Sequence, residues 1–264
     1  MRKLIYALMA LCMTACEKEI TIDYHKADAR YVVEGTINAT GTKVRVSTTN
    51  AMDDNTIISE VDDAIVTITG DDGTTATIPS KGYGRYRSGF VGVPGTTYKL
   101  EVDVDGLHFS STSIMQHTPK VNEFKLVWKK MLTERYLFGD LRLQDISNES
   151  NWYFMHIYRN GLGYRWAVMK DEKNPNKELQ QLFTFFREGA KDSDVLQEGD
   201  ELRVVVRAID ERAYDYLYSM QHIDNTGTNP VENFTGGCLG YFSANSEIEF
   251  YREFRYSDVE EEEE

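Results

Sequence analysis

The chain contains the stretch VDDAIVTITGDDGTTATIPSKGYGRYRSGFVGVPGTTYKLEVDV at residues 61–104, in which apolar and polar residues alternate. Every second residue from Ala64 to Ile68 and from Tyr98 to Val104 is apolar or aromatic, which is the pattern of a strand with one buried face. The sequences at 70–73 (GDDG) and 105–106 (DG) follow these runs and are typical of tight turns. The stretch therefore predicts antiparallel strands joined by short connections.

The same pattern extends over residues 30–118, where Tyr31–Gly35 and Lys43–Ser47 add further strands. Short strands at this spacing predict an antiparallel sandwich of about seven strands. A β-branched strand, an Asp-Gly turn and the sequence Gly95–Leu100 (GTTYKL) make the region resemble the immunoglobulin-like or transthyretin-like modules of secreted bacterial proteins. This resemblance implies a fold and no particular ligand.

A second β-rich region follows Thr118-Pro119, because the residue before a proline is pushed into an extended conformation and commonly ends an element. Residues 119–256 are predicted to form a larger β-rich domain with one helix near 210–221, for which Asp210 is suited as the N-cap. The nearly continuous apolar run Trp152–Tyr158 predicts a strand that is buried on both faces. The predicted fold class is therefore mainly β, with a sandwich followed by a larger β-rich domain.

The first twenty residues, MRKLIYALMALCMTACEKEI, have the organisation of a lipoprotein signal peptide. Arg2 and Lys3 precede an apolar run that is too short to cross a bilayer, and small residues stand directly before Cys16. We therefore predict that residues 1–15 are removed, that Cys16 carries the lipid, and that residues 16–29 form a polar tether. The alternative is an ordinary cleaved signal peptide in which Cys16 is incidental.

The net charge of the chain narrows the classes of partner that it can bind. The formal net charge is −14, which argues against nucleic acid because nucleic-acid binding requires a basic face. Repulsion among the acidic residues 257–264 predicts a disordered tail.

Of the three cysteines, Cys12 leaves with the signal peptide and Cys16 carries the lipid. Cys238 then remains alone, so no intrachain disulfide is predicted.

An ordered set of short sequences carries a more specific likeness. The set comprises CEKEI at 16–20, YVVEG at 31–35, GDELRV at 199–204, AIDERAYDYL at 208–217, and the Asn-Pro, Gly-Gly and GYFSA sequences between 229 and 244. Together they resemble the Bacteroidetes lipoprotein family known as domain of unknown function 4249. The resemblance implies an outer-membrane lipoprotein, often encoded beside a TonB-dependent receptor. Glu17 and Glu19, just behind Cys16, resemble the surface-export signal of Bacteroidetes lipoproteins and so predict a protein that faces the cell surface, and the alternative is a plain solvated linker. It supplies no established catalytic or binding residues.

Motif searches predict no catalytic, cofactor-binding or metal-ligating residue. The five histidines show no ligand spacing, and His156 is interpreted as a satisfied core or barrel residue of an apolar strand, with a ligand role as the lesser alternative. Asp53-Asp54-Asn55 and Asp71-Asp72-Gly73 lack the spacing of a calcium loop and are typical of turns. Five aromatic residues lie beside Gly-rich or Arg-containing turns. They could stack on sugars or on a protein partner. We favour the alternative that they are ordinary half-buried residues of the sheets. These residues are Tyr83, Tyr86, Tyr158, Tyr164 and Trp166.

The Gly-rich segment Asn229–Phe242 has two interpretations. We favour a structural connection that packs the predicted helix against the last strands, because glycines commonly mark close backbone approach. The alternative is an edge that docks a partner.

The sequence thus predicts a lipid-anchored, non-catalytic accessory protein that binds or docks at a TonB-dependent receptor for nutrient uptake. No cofactor is predicted, and the ligand is not defined. Two alternatives stay open: a surface hydrolase with an unrecognised active site, and a structural or adhesive surface lipoprotein.

Overall fold

The computed structural model describes residues 28–50, 59–144, 146, 149–171, 178–191, 193–223 and 230–262. The predicted signal peptide, Cys16, most of the tether and Asp53-Asp54-Asn55 lie outside this part of the chain. The described residues form seventeen strands and one α-helix. None of their helices has the length and apolar character required to cross a membrane.

In chain order the elements are β1 (Tyr31–Asn38), β2 (Gly41–Thr48), β3 (Ser59–Glu60), β4 (Ile65–Gly70), β5 (Thr75–Thr77), β6 (Arg85–Ser88), β7 (Thr97–Val104), β8 (Leu107–Ile114), β9 (Val121–Met131), β10 (Glu134–Leu143), β11 (Trp152–Arg159), β12 (Leu162–Lys170), β13 (Leu179–Arg187), β14 (Glu201–Ile209), α1 (Glu211–Gln221), β15 (Leu239–Ala244), β16 (Ser246–Glu253) and β17 (Val259–Glu261).

The first sandwich consists of two sheets whose apolar faces meet. Sheet 1 has the order β15-β1-β2-β3, with β6 also paired to β2, and sheet 2 has the order β5-β4-β7-β8. The alternation predicted within residues 61–104 is confirmed, because every second side chain of β4 and β7 is buried. The centre of the core contains Val33, Ile37, Val46, Val66, Ile68, Leu100 and Val102.

Strand β15 completes sheet 1 from the far end of the chain. It pairs in parallel with β1, and Gly240 lies opposite Val33. Gly240 has a φ of +104°, and a Cβ added there would overlap the backbone oxygen of Val33, so this close approach requires glycine. The predicted range 119–256 for the second domain therefore includes a strand that belongs to the first sandwich.

The second sandwich is formed by sheet 3, with the order β13-β10-β9-β17, and sheet 4, with the order β12-β11-β14-β16. Leu126, Leu137 and Leu141 of sheet 3 pack with buried residues of sheet 4: Met155, Ile157, Val204 and Val206. The predicted fold class is confirmed: the chain is mainly β, with an immunoglobulin-like sandwich followed by a β-rich region that contains one helix.

The helix follows the prediction closely. The Asp210 carboxylate accepts a hydrogen bond from the Ala213 N–H at 3.0 Å, which caps the first turn. Arg212 donates to the carbonyl of Asn233 at 2.6 Å, and the Asn233 side chain accepts from the Phe242 N–H at 2.9 Å. These bonds join α1, the segment before β15 and β15 itself, so the favoured structural interpretation of this segment is confirmed.

Strand β11 differs from the prediction of a strand buried on both faces. Tyr153, Met155 and Ile157 are fully buried in the second core, whereas the alternate residues, including Phe154 and His156, are only half-buried. His156 is therefore not a core residue. The second face of β11 carries large aromatic side chains that pack beside a cavity. The apolar run in the sequence does not distinguish such a face from a buried one.

The acidic C-terminus also differs from the prediction of a disordered tail. Residues Tyr256–Asp258 form one 3-10 turn, and β17 pairs in parallel with β9. Lys125 contacts Glu260 at 3.0 Å and Lys129 contacts Glu262 at 2.6 Å. The acidic residues therefore lie against cations of the neighbouring strand, which offset the repulsion among them.

Candidate binding cavity between the two sandwiches

A cavity of about 330 Å³ lies between the outer face of sheet 1 and the outer face of sheet 4. Its lining residues come from β1, β2, β15 and the residue after β15 on one side, and from β11, β14 and β16 on the other. The volume falls within the range of about 300–1,000 Å³ that is common for small-molecule sites. Both sandwiches are therefore needed to form it.

The wall from sheet 4 is an aromatic row on β11. The rings of His156 and Tyr158 stack with centroids 4.0 Å apart, and Phe154 lies 6.0 Å from His156. This row, Phe154, His156 and Tyr158, exists because residues two apart in a strand point to the same face. Two arginines of β14 cover it, with Arg203 4.0 Å above the Tyr158 ring and Arg207 5.4 Å above Phe154.

The wall from sheet 1 is polar. Thr36, Ser243 and Asn245 contribute hydroxyl and amide groups, and Tyr241 contributes a ring that stacks on Tyr216 of α1 with centroids 5.2 Å apart. Asn245 is almost fully buried, and its Oδ1 has no hydrogen-bond partner in the described structure. A buried amide oxygen without a partner is costly, and because this oxygen has almost no accessible surface, a ligand in the cavity does not reach it unless the wall moves.

A bridge of polar side chains joins the two walls. Arg207 donates to Glu247 at 3.0 Å, and the Asn38 amide donates to the other carboxylate oxygen of Glu247 at 3.2 Å. Arg207 and Glu247 come from sheet 4, whereas Asn38 comes from sheet 1. The carboxylate is thereby oriented within the cavity and partly neutralised.

The cavity favours an uncharged histidine. Burial, with further contributions from Arg207 and Arg203, lowers the pKa of His156 from 6.5 to about 4. Burial likewise raises the pKa of Tyr241 to about 12. At neutral pH the imidazole therefore offers one donor and one acceptor, and the phenol keeps its proton.

The structure brings only one of the predicted aromatic candidates into the cavity, which is Tyr158. Trp166 reaches its margin, with its ring edge-on to Phe154 at 5.9 Å. Tyr83 is exposed, and Tyr86 is buried in the first core. Tyr164 packs against Phe185 in the second sandwich.

The segment Asp71-Asp72-Gly73 is a turn, as the sequence analysis indicated. The Asp72 carboxylate accepts hydrogen bonds from the backbone and hydroxyl of Thr74 at 2.9 and 2.6 Å, as expected of a turn. No cluster of three or more metal-ligating side chains occurs among the described residues. Cys238 is buried, and burial raises the pKa of its thiol to about 12, so it is a poor nucleophile.

Sequence reasoning missed Phe154, Arg207, Tyr241, Asn245 and Glu247. One signal was present: the residues of β11 that alternate with its core residues are Trp152, Phe154, His156 and Tyr158, an unusually aromatic face for a strand open to solvent. The other members come from strands that pair only in the folded chain, so no local pattern marks them.

An aromatic row facing hydroxyls, amides and an oriented ion pair defines a class: a mainly β protein with a cavity suited to a polar ligand that has one apolar face. The chain belongs to the family described as "Domain of unknown function (DUF4249)", which it matches over residues 17–247.

A comparison with curated proteins finds no match. Among solved structures, the chain is similar to a two fibronectin type-III domain segment from chicken tenascin, with 9% identity and a TM-score of 0.24. That similarity covers 86% of this chain and 100% of the tenascin segment.

Proposed function

We propose that this protein is a lipid-anchored lipoprotein of the bacterial outer membrane that binds a polar ligand, without catalysis, for a TonB-dependent nutrient uptake system. The observation that carries the binding role is the cavity between the sandwiches, with its aromatic row on one wall and its polar side chains on the other. The anchor rests on the sequence around Cys16. The uptake role rests on the implied Bacteroidetes relationship.

The lipid anchor and the cavity have separate roles in this proposal. Several acyl chains on Cys16 hold the protein at the membrane surface stably, whereas one chain binds only marginally. Tethering keeps the cavity at a high effective concentration near a receptor in the same membrane. A ligand bound there is delivered by diffusion over a short distance.

Purification of the tagged full chain in mild detergent, followed by mass spectrometry, tests this proposal. We expect a TonB-dependent receptor in near-equal amount. The matched control is Cys16→Ala, which we expect to yield a soluble or unprocessed form without the receptor. A lipoprotein that purifies alone, or a Cys16→Ala form that is still matured and membrane-bound, would contradict the proposal.

A surface hydrolase is the second candidate, because His156 with its lowered pKa and Glu247 line the same cavity. A hydrolase would release reducing ends from bound oligosaccharides, and Glu247→Gln would abolish that turnover. The binding role predicts no turnover by the native chain and a change in affinity only. Incubation of excess oligosaccharide with the native chain, followed by a reducing-end assay, separates the two.

A further inference from the structure

The outer face of sheet 1 continues beyond the cavity into a surface that we call the basic shelf, formed by Lys43 and Arg45 of β2 and Arg85 and Arg87 of β6. In the strand register, Lys43 lies opposite Arg87 and Arg45 lies opposite Arg85. Like charges at directly opposed cross-strand positions are unfavourable. A chain with a net charge of −14 does not place four cations together by composition alone.

The cations of the basic shelf are not neutralised within the described part of the chain. None of the four is within 4.0 Å of a described carboxylate, and Arg45 Nε is buried without a hydrogen-bond partner. Glu34 lies opposite Arg45 in the register of β1 and β2, yet the two form no ion pair. The cations are therefore available to an external anion.

A groove of about 590 Å³ lies beside two cations of the basic shelf, Lys43 and Arg87. Lys43, Lys81 and Arg87 line this groove, and its other lining residues carry no carboxylate. Lys43 also lines the cavity. Lys43 therefore lies where the cavity and the groove meet.

We propose that the cavity and the basic shelf together bind an acidic oligosaccharide, with one sugar in the cavity against the edges of the aromatic row and the carboxylates of further rings on the shelf. The inference rests on the binding role proposed above and names its ligand class. His156 and Arg203 occupy the two faces of the Tyr158 ring, so the sugar contacts ring edges rather than a ring face. Hydroxyls of the sugar suit Thr36 and the neutral imidazole of His156, which line the cavity, and a carboxylate suits Lys43 and Arg87.

The test is calorimetric titration of the detergent-solubilised full chain with hexamers of galacturonic acid and of mannuronic acid. The fully methyl-esterified hexamers serve as matched controls, because they keep the rings and lose the charge. We expect at least one acid hexamer to bind tenfold or more tightly than its ester. Its affinity should fall as sodium chloride is raised, since salt screens exposed charges. An oligomer of glutamate controls for charge alone.

Two variants separate the parts of the surface. Lys43→Gln with Arg87→Gln should reduce the affinity for the acid hexamer at least tenfold, leave that for the ester unchanged, and not lower the melting temperature. Tyr158→Ala should reduce the affinity for both forms. Lys129→Gln, which alters a cation already paired with Glu262, is the matched control and should leave binding unchanged.

Several results would overturn the inference. Equal affinity for acid and ester would show that the shelf is not used, and equal affinity for oligoglutamate would show that charge alone is recognised. Absence of binding by both acid hexamers would also overturn it. The proposed function fails separately, through the absence of a co-purifying receptor.

Discussion

Two charged surfaces of this molecule differ in how their cations are neutralised. At the edge formed by β17, β9 and β10, which we call the paired edge, three cations meet carboxylates: Lys125 with Glu260, Lys129 with Glu262, and Arg135 with Glu261 at 2.6 Å. On the basic shelf, Lys43 and Arg45 face Arg87 and Arg85 and contact no described carboxylate. Both surfaces place cations on neighbouring strands.

The difference shows that the overall composition does not predict which cations of the folded chain are neutralised. The chain has carboxylates in excess and uses its acidic C-terminus to neutralise the paired edge, whereas the basic shelf receives none. Cross-strand repulsion on the shelf lowers stability slightly and leaves a cationic surface beside the cavity. The paired edge is neutralised within the chain, and the shelf is the surface for which we propose an external anion.

The largest effect is expected from Gly240→Ala, which removes the strand pairing that supports the shelf and leaves the paired edge in the other sandwich. Its Cβ would overlap the Val33 backbone oxygen at a φ of +104°, so unfolding free energy should fall by about 3 kcal/mol or more. Urea unfolding measures this. Gly237→Ala, at a φ of +86° with no atom within 4 Å, should cost only about 1 kcal/mol. Equal losses for the two variants would refute this account of β15.

The next largest effect is expected at the paired edge. Arg135 contacts Glu188 at 3.0 Å and Glu261 at 2.6 Å, and it lies 5.2 Å above the Trp128 ring. Arg135→Glu replaces attraction with repulsion and should cost about 1–2 kcal/mol in thermal or urea unfolding. Arg135→Gln should cost roughly half as much. A reversal that leaves stability unchanged would remove the contrast with the shelf.

Protonation of His156 in the cavity should lower the stability of the folded chain. Because the pKa of His156 is about 4 in the folded chain and 6.5 ordinarily, the unfolded chain takes up a proton first as pH falls. Stability should therefore decrease between pH 6.5 and pH 4, by about 1 kcal/mol after allowance for solvent screening.

The measurement compares unfolding of the native chain and of His156→Gln across that pH window. The variant should lose this part of the pH dependence. His117→Gln, which alters an exposed histidine, should retain it. A native chain and His156→Gln variant with parallel pH profiles would contradict the assignment.

The smallest effect, and the one of opposite sign, is expected from Lys43→Glu. A carboxylate opposite Arg87 replaces repulsion with attraction, so stability should rise by about 0.5 kcal/mol. The gain should shrink at about 1 M salt, where the screening length is about 3 Å. Differential scanning calorimetry at two salt concentrations measures both. A loss of stability would indicate that Lys43 has a structural partner.

The sequence predicted those features that local patterns encode. Alternation marked the faces of β4 and β7, and Asp210 marked the start of α1. The parallel pairing of Val33 with Gly240 joins residues far apart in the chain, for which one sequence carries no local signal. The position of β17 depends on cations of β9 that composition does not locate.

The candidate site was less predictable for the same reason. His156 and Tyr158 were visible as members of an apolar run, but that run does not distinguish a strand buried twice from one with an aromatic outer face. The opposition of Lys43 and Arg87 exists only in the register of β2 with β6. Asn245 and Glu247 reach the site because β15 belongs to the first sandwich and β16, which follows it directly, belongs to the second.

The most direct test of the central claim is amide hydrogen exchange of the detergent-solubilised full chain with and without the tighter-binding acid hexamer. We expect the hexamer to slow exchange in β2, β6, β11 and β14, the strands of the shelf and of the aromatic row, and to leave β9 and β17 of the paired edge unchanged. Slowed exchange at the paired edge, or none in β2 and β11, would contradict the claim.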